Sequence, residues 1–253
     1  MSAGDEVSRA ANLLREARYA VALTGAGIST PSGIPDFRSP GSGLWERVNP
    51  MIVASIHAFR IHPKAFYDWV RPLAEKVMAA KPNPAHVALA ELEAGGRLRA
   101  VITQNVDGLH QQAGSREVLE LHGHVREATC IRCRRVAPAG NFLDDFLASR
   151  EVPRCSACGG VMKPNVVLFG EQLPEEVFDA AMAHIHRADL LLVAGSHLDV
   201  MPASQLPLLV HEDGGRVVVV NLTPTYIDTV AEVVIHADVA EALPRIARAC
   251  VEE

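Results

Sequence analysis

Four of the five cysteines stand in two close pairs, Cys130-Ile-Arg-Cys133 and Cys155-Ser-Ala-Cys158, with 21 residues between the pairs. A two-residue spacing lets both thiolates of a pair reach one ion, and two such pairs complete a tetrahedral set. Zinc is the ion this pattern suits, one per chain. With four sulfur ligands no position is left for water, so the ion would be structural rather than catalytic. Gly159-Gly160 gives the backbone room to fold round it. Between Arg126 and Lys163 seven basic residues face four acidic ones, and that surplus would offset the double negative charge of a zinc tetrathiolate. A redox dithiol is the rival, although it needs only one pair. Cys250 stands alone in a helical tail and reads as an ordinary half-buried thiol.

A second group of residues suits an anionic ligand. Gly25-Ala26-Gly27 follows the short apolar run Tyr19 to Thr24, the strand-then-glycine order that opens a nucleotide-binding α/β unit. Alone it is weak, because Thr30 replaces the usual third glycine and short glycine turns are common. TGAGIST at 24–30, PSGIPDFR at 31–38 and TQNVDGLH at 103–110 all lie at or after the carboxyl end of a candidate strand, where open α/β sheets bind ligands. His122, after Leu-Glu-Leu, is a candidate base, since an imidazole titrates near neutrality. Taken singly it is better explained as a hydrogen-bonded structural residue. His110 and His124 are expected to be structural.

The elements that must position these residues follow from hydrophobic spacing. Helical periods occur at 7–18, 84–94, 174–187 and 240–249, and near-continuous apolar runs at 19–24, 99–103, 190–194, 217–221 and 233–236. Such runs suit a parallel sheet covered on both faces. The expected fold class is therefore α/β, a doubly wound parallel (Rossmann-like) sheet with a small zinc-binding domain and a helical insertion. The large domain should comprise residues 1–37, 84–125 and 164–253. The small one should comprise 38–83, the helical insertion, and 126–163, the zinc module. Nine of the fourteen residues from Thr30 to Gly43 are Pro, Gly or Ser, which predicts a loop.

The 253 residues are 49% hydrophobic and 21% charged, enough for a substantial core, which excludes disorder. A net charge of −6 argues against a generally basic nucleic-acid coating. No apolar run approaches the roughly 20 residues of a membrane span. The N-terminal residues lack a secretory pattern, so the expected location is cytoplasmic.

GAGIST and PSGIPDFR at 25–38, QNVDGLH at 104–110, LHGH at 121–124, the two cysteine pairs and PNVVLFGE at 164–171 stand in the order and spacing of the sirtuins, the NAD-dependent protein lysine deacylases. The chain resembles that family, in its bacterial or archaeal form, from about Tyr19 to Val239. The resemblance implies NAD as co-substrate, bound by Gly25, Ala26, Gly27 and Thr30 at the diphosphate and ribose, and by Gln104 at the ribose. Ile34, Asp36, Asn105 and Asp107 would line the nicotinamide pocket, with Phe37 over the reacting carbon and Arg38 at the mobile loop and phosphates. Gly195 and Ser196 would form the second phosphate and ribose contact, Asn221 the adenosine ribose contact and Val239 the adenine neighbour. His122 and Asn105 would be catalytic. Val166, Val167, Phe169, Gly170 and Glu171 would pair with an extended substrate peptide.

The implied reaction is NAD-dependent protein lysine deacetylation. The acyl carbonyl oxygen attacks the nicotinamide ribose carbon and nicotinamide leaves. His122 then activates the 2′-hydroxyl, and water completes release of free lysine and O-acetyl-ADP-ribose. The implied partners are acylated lysines in extended protein segments, with no membrane and no direct sequence-specific nucleic acid. Protein ADP-ribosylation, NAD hydrolysis or non-catalytic NAD binding would use the same pocket, although intact His122, Asn105 and Asp107 speak against the last. The chain departs from the family at two points. Its usual Gly-Thr-Ser is Gly195-Ser196-His197 here. Deacylases for acidic acyl groups carry Tyr-x-x-Arg, whereas here Tyr67 is followed by Arg71, one position later. That slip turns a helical side chain by about 100°, which favours an uncharged acyl group.

Overall fold

The structure, a computed structural model, describes residues 3–36 and 48–251. Phe37 and Arg38 lie outside the described residues. Six parallel strands form the main sheet: β1 (Ala20–Thr24), β2 (Val101–Thr103), β3 (Val118–Glu120), β7 (Leu190–Ala194), β8 (Arg216–Val220) and β9 (Val233–Ile235). Their order is β3-β2-β1-β7-β8-β9, the doubly wound order with its reversal between β1 and β7. The expected parallel sheet is thus the one observed.

Its strands alternate between two cores, which explains why they read as unbroken apolar runs. Ala20, Ala22, Leu190, Leu192, Val218 and Val220 pack against α1 (Ala3–Glu16), α5 (Pro84–Ala94) and α10 (Val239–Ala249). Val21, Leu23, Leu191, Val193, Val217 and Val219 face α8 (Glu175–Ile185) and α9 (Leu206–Glu212) on the other side. With both faces covered, the strand interiors are apolar, and the buried polar residues stand at the carboxyl ends, Thr24, Thr103 and Glu120, each with a hydrogen-bond partner. Among the described residues no helix is long and apolar enough to cross a membrane.

Between β1 and α5 lie three helices, α2 (Pro50–Val53), α3 (Ile56–Ile61) and α4 (Pro63–Ala79), as expected of the insertion. Pro72 sits inside α4 without ending it. Between β2 and β3 lies the short α6 (Leu109–Ala113). A second sheet, which sequence reading did not foresee, orders β5 (Val136–Pro138), β4 (Gly123–Cys130) and β6 (Met162–Val166) antiparallel. The boundaries drawn at 125/126 and 163/164 fall within β4 and β6. Helix α7 (Leu143–Ser149) completes this region. Phe59, Phe66 and Tyr67 from the helical insertion share one core with Phe146 and Val161 from the cysteine-bearing segment. Arg71, buried, spans the same seam. Its Nη1 donates to the carbonyls of Phe146 and Leu147 in the last turn of α7, and its guanidinium lies 4.2 Å from the Phe146 ring centroid.

At the sheet's reversal point two loops cross backbone to backbone. The Gly27 N–H donates to the Gly195 carbonyl at 2.8 Å. Gly195 has φ +62, and a Cβ built there would stand 2.3 Å from the Ile28 nitrogen. Gly195→Ala is therefore expected to lose more than about 2 kcal/mol of stability, from the left-handed backbone and the clash together. A shift in the urea unfolding midpoint at unchanged slope would show it.

Candidate active site and metal centre

The crossing of these loops fixes the floor of the site. Asn105 reaches across from the end of β2, its Nδ2 donating to the Gly25 carbonyl and to Ser29 Oγ, each at 3.1 Å. The Ser29 hydroxyl donates to Asp107 Oδ2 at 2.7 Å, and the Leu109 N–H donates to Asp107 Oδ1 at 2.9 Å. Burial raises the Asp107 carboxyl pKa above its ordinary value against these two donors. Gln104 Nε2 donates to Ser196 Oγ at 2.9 Å, which ties the β2 loop to the β7 loop. Three strand ends thus hold one polar cluster.

Beneath it lie two buried imidazoles that the sequence marked only as structural or not at all. His110 Nε2 donates to Thr24 Oγ1 at 2.9 Å, since that hydroxyl spends its own proton on Thr103 Oγ1. His86 Nδ1 accepts the Asn83 N–H at 3.3 Å in the capping box of α5. Asn83 Nδ2 donates to the Ile28 carbonyl at 2.8 Å, so the helix cap also holds the glycine loop. The rings meet edge-on at 4.9 Å. Burial holds His86 at about 4, and burial with the neighbouring His86 holds His110 at about 3.

His122 sits in the turn between β3 and β4. Its Nδ1 is 2.9 Å from the Gln104 carbonyl, which can only accept, so Nδ1 carries the proton and Nε2 keeps its lone pair. Burial, opposed by this bond, lowers the ring's pKa and favours the neutral base. The turn is fixed on its other side by Val167, whose N–H donates to the His122 carbonyl at 2.8 Å.

A cavity of about 450 Å³ runs from this cluster between the helical insertion and α7. Ala26, Ile34, Asp36, Gln104, Asn105, Asp107, His122 and Ser196 line its polar end. Val166, Val167, Phe169, Gly170 and Glu171 line a wall where Lys163 and Glu171 form a half-buried ion pair at 2.9 Å. Tyr67, Val70, Leu73, Ala74 and Val77 from α4 and Phe142, Leu143 and Phe146 from the module line its apolar end. Arg71 does not line it. A smaller depression of about 40 Å³ continues on the other side, with Gly27, Thr30, Asn221 and Val239 in its walls. The cofactor- and peptide-binding residues predicted from sequence within the described segments therefore line one or other of these two depressions.

The four paired cysteines converge, with all four Sγ atoms within 4.8 Å of one another. Cys130 to Cys158 measures 3.5 Å and Cys133 to Cys155 measures 3.7 Å. Two sulfurs on one tetrahedral zinc lie about 3.8 Å apart, so the set fits one zinc ion. Backbone N–H groups of Cys133 and Ala157 lower the Cys130 and Cys155 thiols, while the crowding of neighbouring sulfurs raises Cys158, a repulsion that a bound cation would relieve. A Cβ at Gly160 would stand 2.8 Å from Cys130 Sγ, which explains the glycine there.

Fold and site together define a dinucleotide-binding α/β protein with a four-cysteine zinc module. The Sir2 family model matches residues 25–202, and the chain belongs to that family, the sirtuins. It is 44% identical over 243 residues to the NAD-dependent protein deacylase 2 of Archaeoglobus fulgidus, covering 96% of this chain and 95% of that one. It is 46% identical over 239 residues to the NAD-dependent protein deacetylase of Sulfurisphaera tokodaii, covering 94% of each. A solved Sir2 with deacetylated p53 peptide and 3′-O-acetyl ADP ribose superposes with a TM-score of 0.91 at 42% identity, over 96% of this chain and 97% of the other.

Two measurements follow. Cys155→Ala, or removal of metal by a strong chelator, is expected to abolish cooperative melting of the zinc module, with one zinc per chain lost by metal analysis. Full stability retained without zinc would contradict the assignment. His86 and His110 take up protons in the unfolded chain near pH 6.5 but resist them when folded. Stability should therefore fall as pH drops from about 6.5 toward 4, by about 2 kcal/mol per ring at pH 5. Urea unfolding between pH 7 and 5 reads this, and His110→Asn should flatten part of the slope.

Proposed function

We propose that this chain removes acyl groups from protein lysines with NAD as co-substrate, releasing nicotinamide and O-acetyl-ADP-ribose. The observation that carries this reading is His122. It is a half-buried imidazole, held toward its neutral form by desolvation, whose Nδ1 proton is committed to the Gln104 carbonyl, which leaves Nε2 as the base beside a cleft built at the sheet's reversal point. The relatives' names and the product complex of the similar structure support the same chemistry.

In this reading Asn105 and Asp107, with Ile34 and Asp36, hold the nicotinamide end, and the Gly25 to Thr30 loop holds the diphosphate and ribose. Gly195, Ser196, Asn221 and Val239 take the adenosine half. The acyl oxygen attacks the ribose carbon as nicotinamide leaves. His122 takes the proton of the 2′-hydroxyl so that this oxygen can attack the acyl carbon, and water then frees the lysine. The edge strand β6 and residues 166–171 offer backbone groups to an extended peptide, so selectivity for flanking sequence should be low. The small domain is the helical insertion with the zinc module, joined by their shared core. A reducing, cytoplasmic location suits a chain whose five cysteines form no disulfide.

The acyl group lies in the apolar lane along α4. From Tyr67 to Met78 that lane is about 17 Å long, and each methylene buried there adds up to about 0.8 kcal/mol. Arg71 cannot greet a carboxylate: it is turned to α7 and hidden behind Phe146. The substrates are therefore uncharged acyl-lysines, with length tolerated beyond acetyl.

His122→Ala should lower deacetylation by at least about a hundredfold while NAD affinity changes little. Affinity falling in proportion to rate would make His122 a binding residue instead. Incubation of acetyl-lysine peptide with NAD, reading lysine release against transfer of labelled ADP-ribose to protein, separates deacylation from ADP-ribosylation. On one peptide, kcat/KM should be higher for acetyl- than for succinyl-lysine, and KM should fall from acetyl to octanoyl. Preference for succinyl would mean that a cation reaches the lane.

A further inference from the structure

The cleft consists of two depressions, and among the described residues only Asp36, Gly195 and His197 line both. The following argument rests on the NAD reading proposed above. A dinucleotide with its nicotinamide in the larger depression and its adenosine in the smaller must pass its midpoint across these three residues, and the midpoint is the diphosphate. Gly195 has no side chain and Asp36 is an acid, so His197 is the one described side chain at that crossing able to carry positive charge.

The charge around it sharpens the point. The described residues lining the two depressions include the carboxylates Asp36, Asp107, Glu127, Asp199 and Asp238, and Glu171 paired with Lys163; none of these lining residues is itself a lysine or arginine. His122 is the other imidazole, and it lines the larger depression alone. Asp36 of the β1 loop lines both depressions with His197, Asp238 at the N-cap of α10 lines the smaller and Asp199 of its own segment the larger. An anionic diphosphate thus enters a cleft whose described side chains are acidic on balance. His197 is half-buried on a turn held in place, where Ser196 Oγ accepts from Gln104 Nε2 at 2.9 Å and from the Leu198 N–H at 3.2 Å. Leu198 closes that turn at φ +57.

We propose that His197 pairs with the diphosphate of NAD and that its proton sets the affinity for the dinucleotide. An anion favours the imidazolium, so the complex holds more protons than the free protein. Affinity therefore rises as pH falls through the range where imidazoles titrate. The substitution that departs from the family's small hydroxyl would make this enzyme's NAD occupancy responsive to pH.

The test uses ADP-ribose, which keeps the diphosphate and removes the chemistry. Its dissociation constant is measured by calorimetry from pH 5.5 to 8.5 on the whole protein and on His197→Ser and His197→Lys. Folding is checked by circular dichroism. The wild type is expected to weaken about three- to tenfold across the range, with proton uptake on binding near neutrality. His197→Ser should be weak and flat, and His197→Lys tight and flat. Both variants keep His122, Asp36 and Asp107, so a pH dependence retained in His197→Ser overturns the proposal. A wild type as flat as the serine variant overturns it too. If ADP-ribose binds none of the three folded proteins at any pH, the dinucleotide reading itself falls and the proposal with it.

Discussion

The crossing of the Gly25–Gly27 loop over Gly195 is the constraint on which the site depends. Parallel strands β1 and β7 lie side by side but send their connections to opposite faces of the sheet, so a crevice opens above their ends. The two loops then close that crevice from below through a direct bond between their backbones. Any side chain on Gly27 or Gly195 would push them apart, and Asn105, which bonds to the Gly25 carbonyl, would move with them. From Asn105 the constraint passes through Ser29 to Asp107, and through Gln104 to both Ser196 and His122. Glycine loop, amide, acid and imidazole are therefore positioned by one short chain of hydrogen bonds rather than by separate scaffolds.

That chain rests on buried polar groups, which are costly unless every partner is met. Thr24, Thr103, His110, His86 and Asn83 supply the lower layer, each tied to a loop or helix end that reaches the cleft. Keeping both imidazoles neutral avoids two buried positive charges below the cofactor loop. The gain is rigidity in the site. The consequence is a fold whose stability depends on pH through residues that touch no substrate.

Legibility followed from how local each signal was. The cysteine pairs were readable because metal geometry demands a fixed spacing, and the strands of the main sheet because burial on both faces leaves unbroken apolar runs. Helix α5 was readable to its ends, since Asn83, Pro84 and Gly95 punctuate it. Strand β4 was not: Gly-His-Val-Arg-Glu-Ala-Thr-Cys has no clean alternation, because a register shift between Gly123 and Ala128 breaks the pairing with β6. The extent of α4 was blurred by Pro72, whose helix is held by the packing of Phe66, Tyr67 and Val70 in one core with Phe146. The network of His86 and His110 left no pattern, since its members come from four separate segments and meet only in the fold. Positions of most cleft residues were legible through resemblance, whereas their hydrogen-bond partners were not.

Arg71 shows why a motif's spacing has to be followed into the packing. In sequence it stands close enough to Tyr67 to suggest a cation for an acidic acyl group. In the fold the extra residue turns it from the cavity, so that it ties the last turn of α7 to α4, where a cation also meets the negative end of the helix dipole. Tyr67, four residues earlier, points its hydroxyl at the Met162 carbonyl on β6, beside the buried Cys130. One helix of the insertion thus grips both α7 and β6 of the cysteine-bearing module. The apolar lane runs between these grips. Its width is set jointly by the helical insertion and by a module whose own order depends on four thiolates held round an ion, so the structural metal reaches the choice of acyl group through packing and not through chemistry.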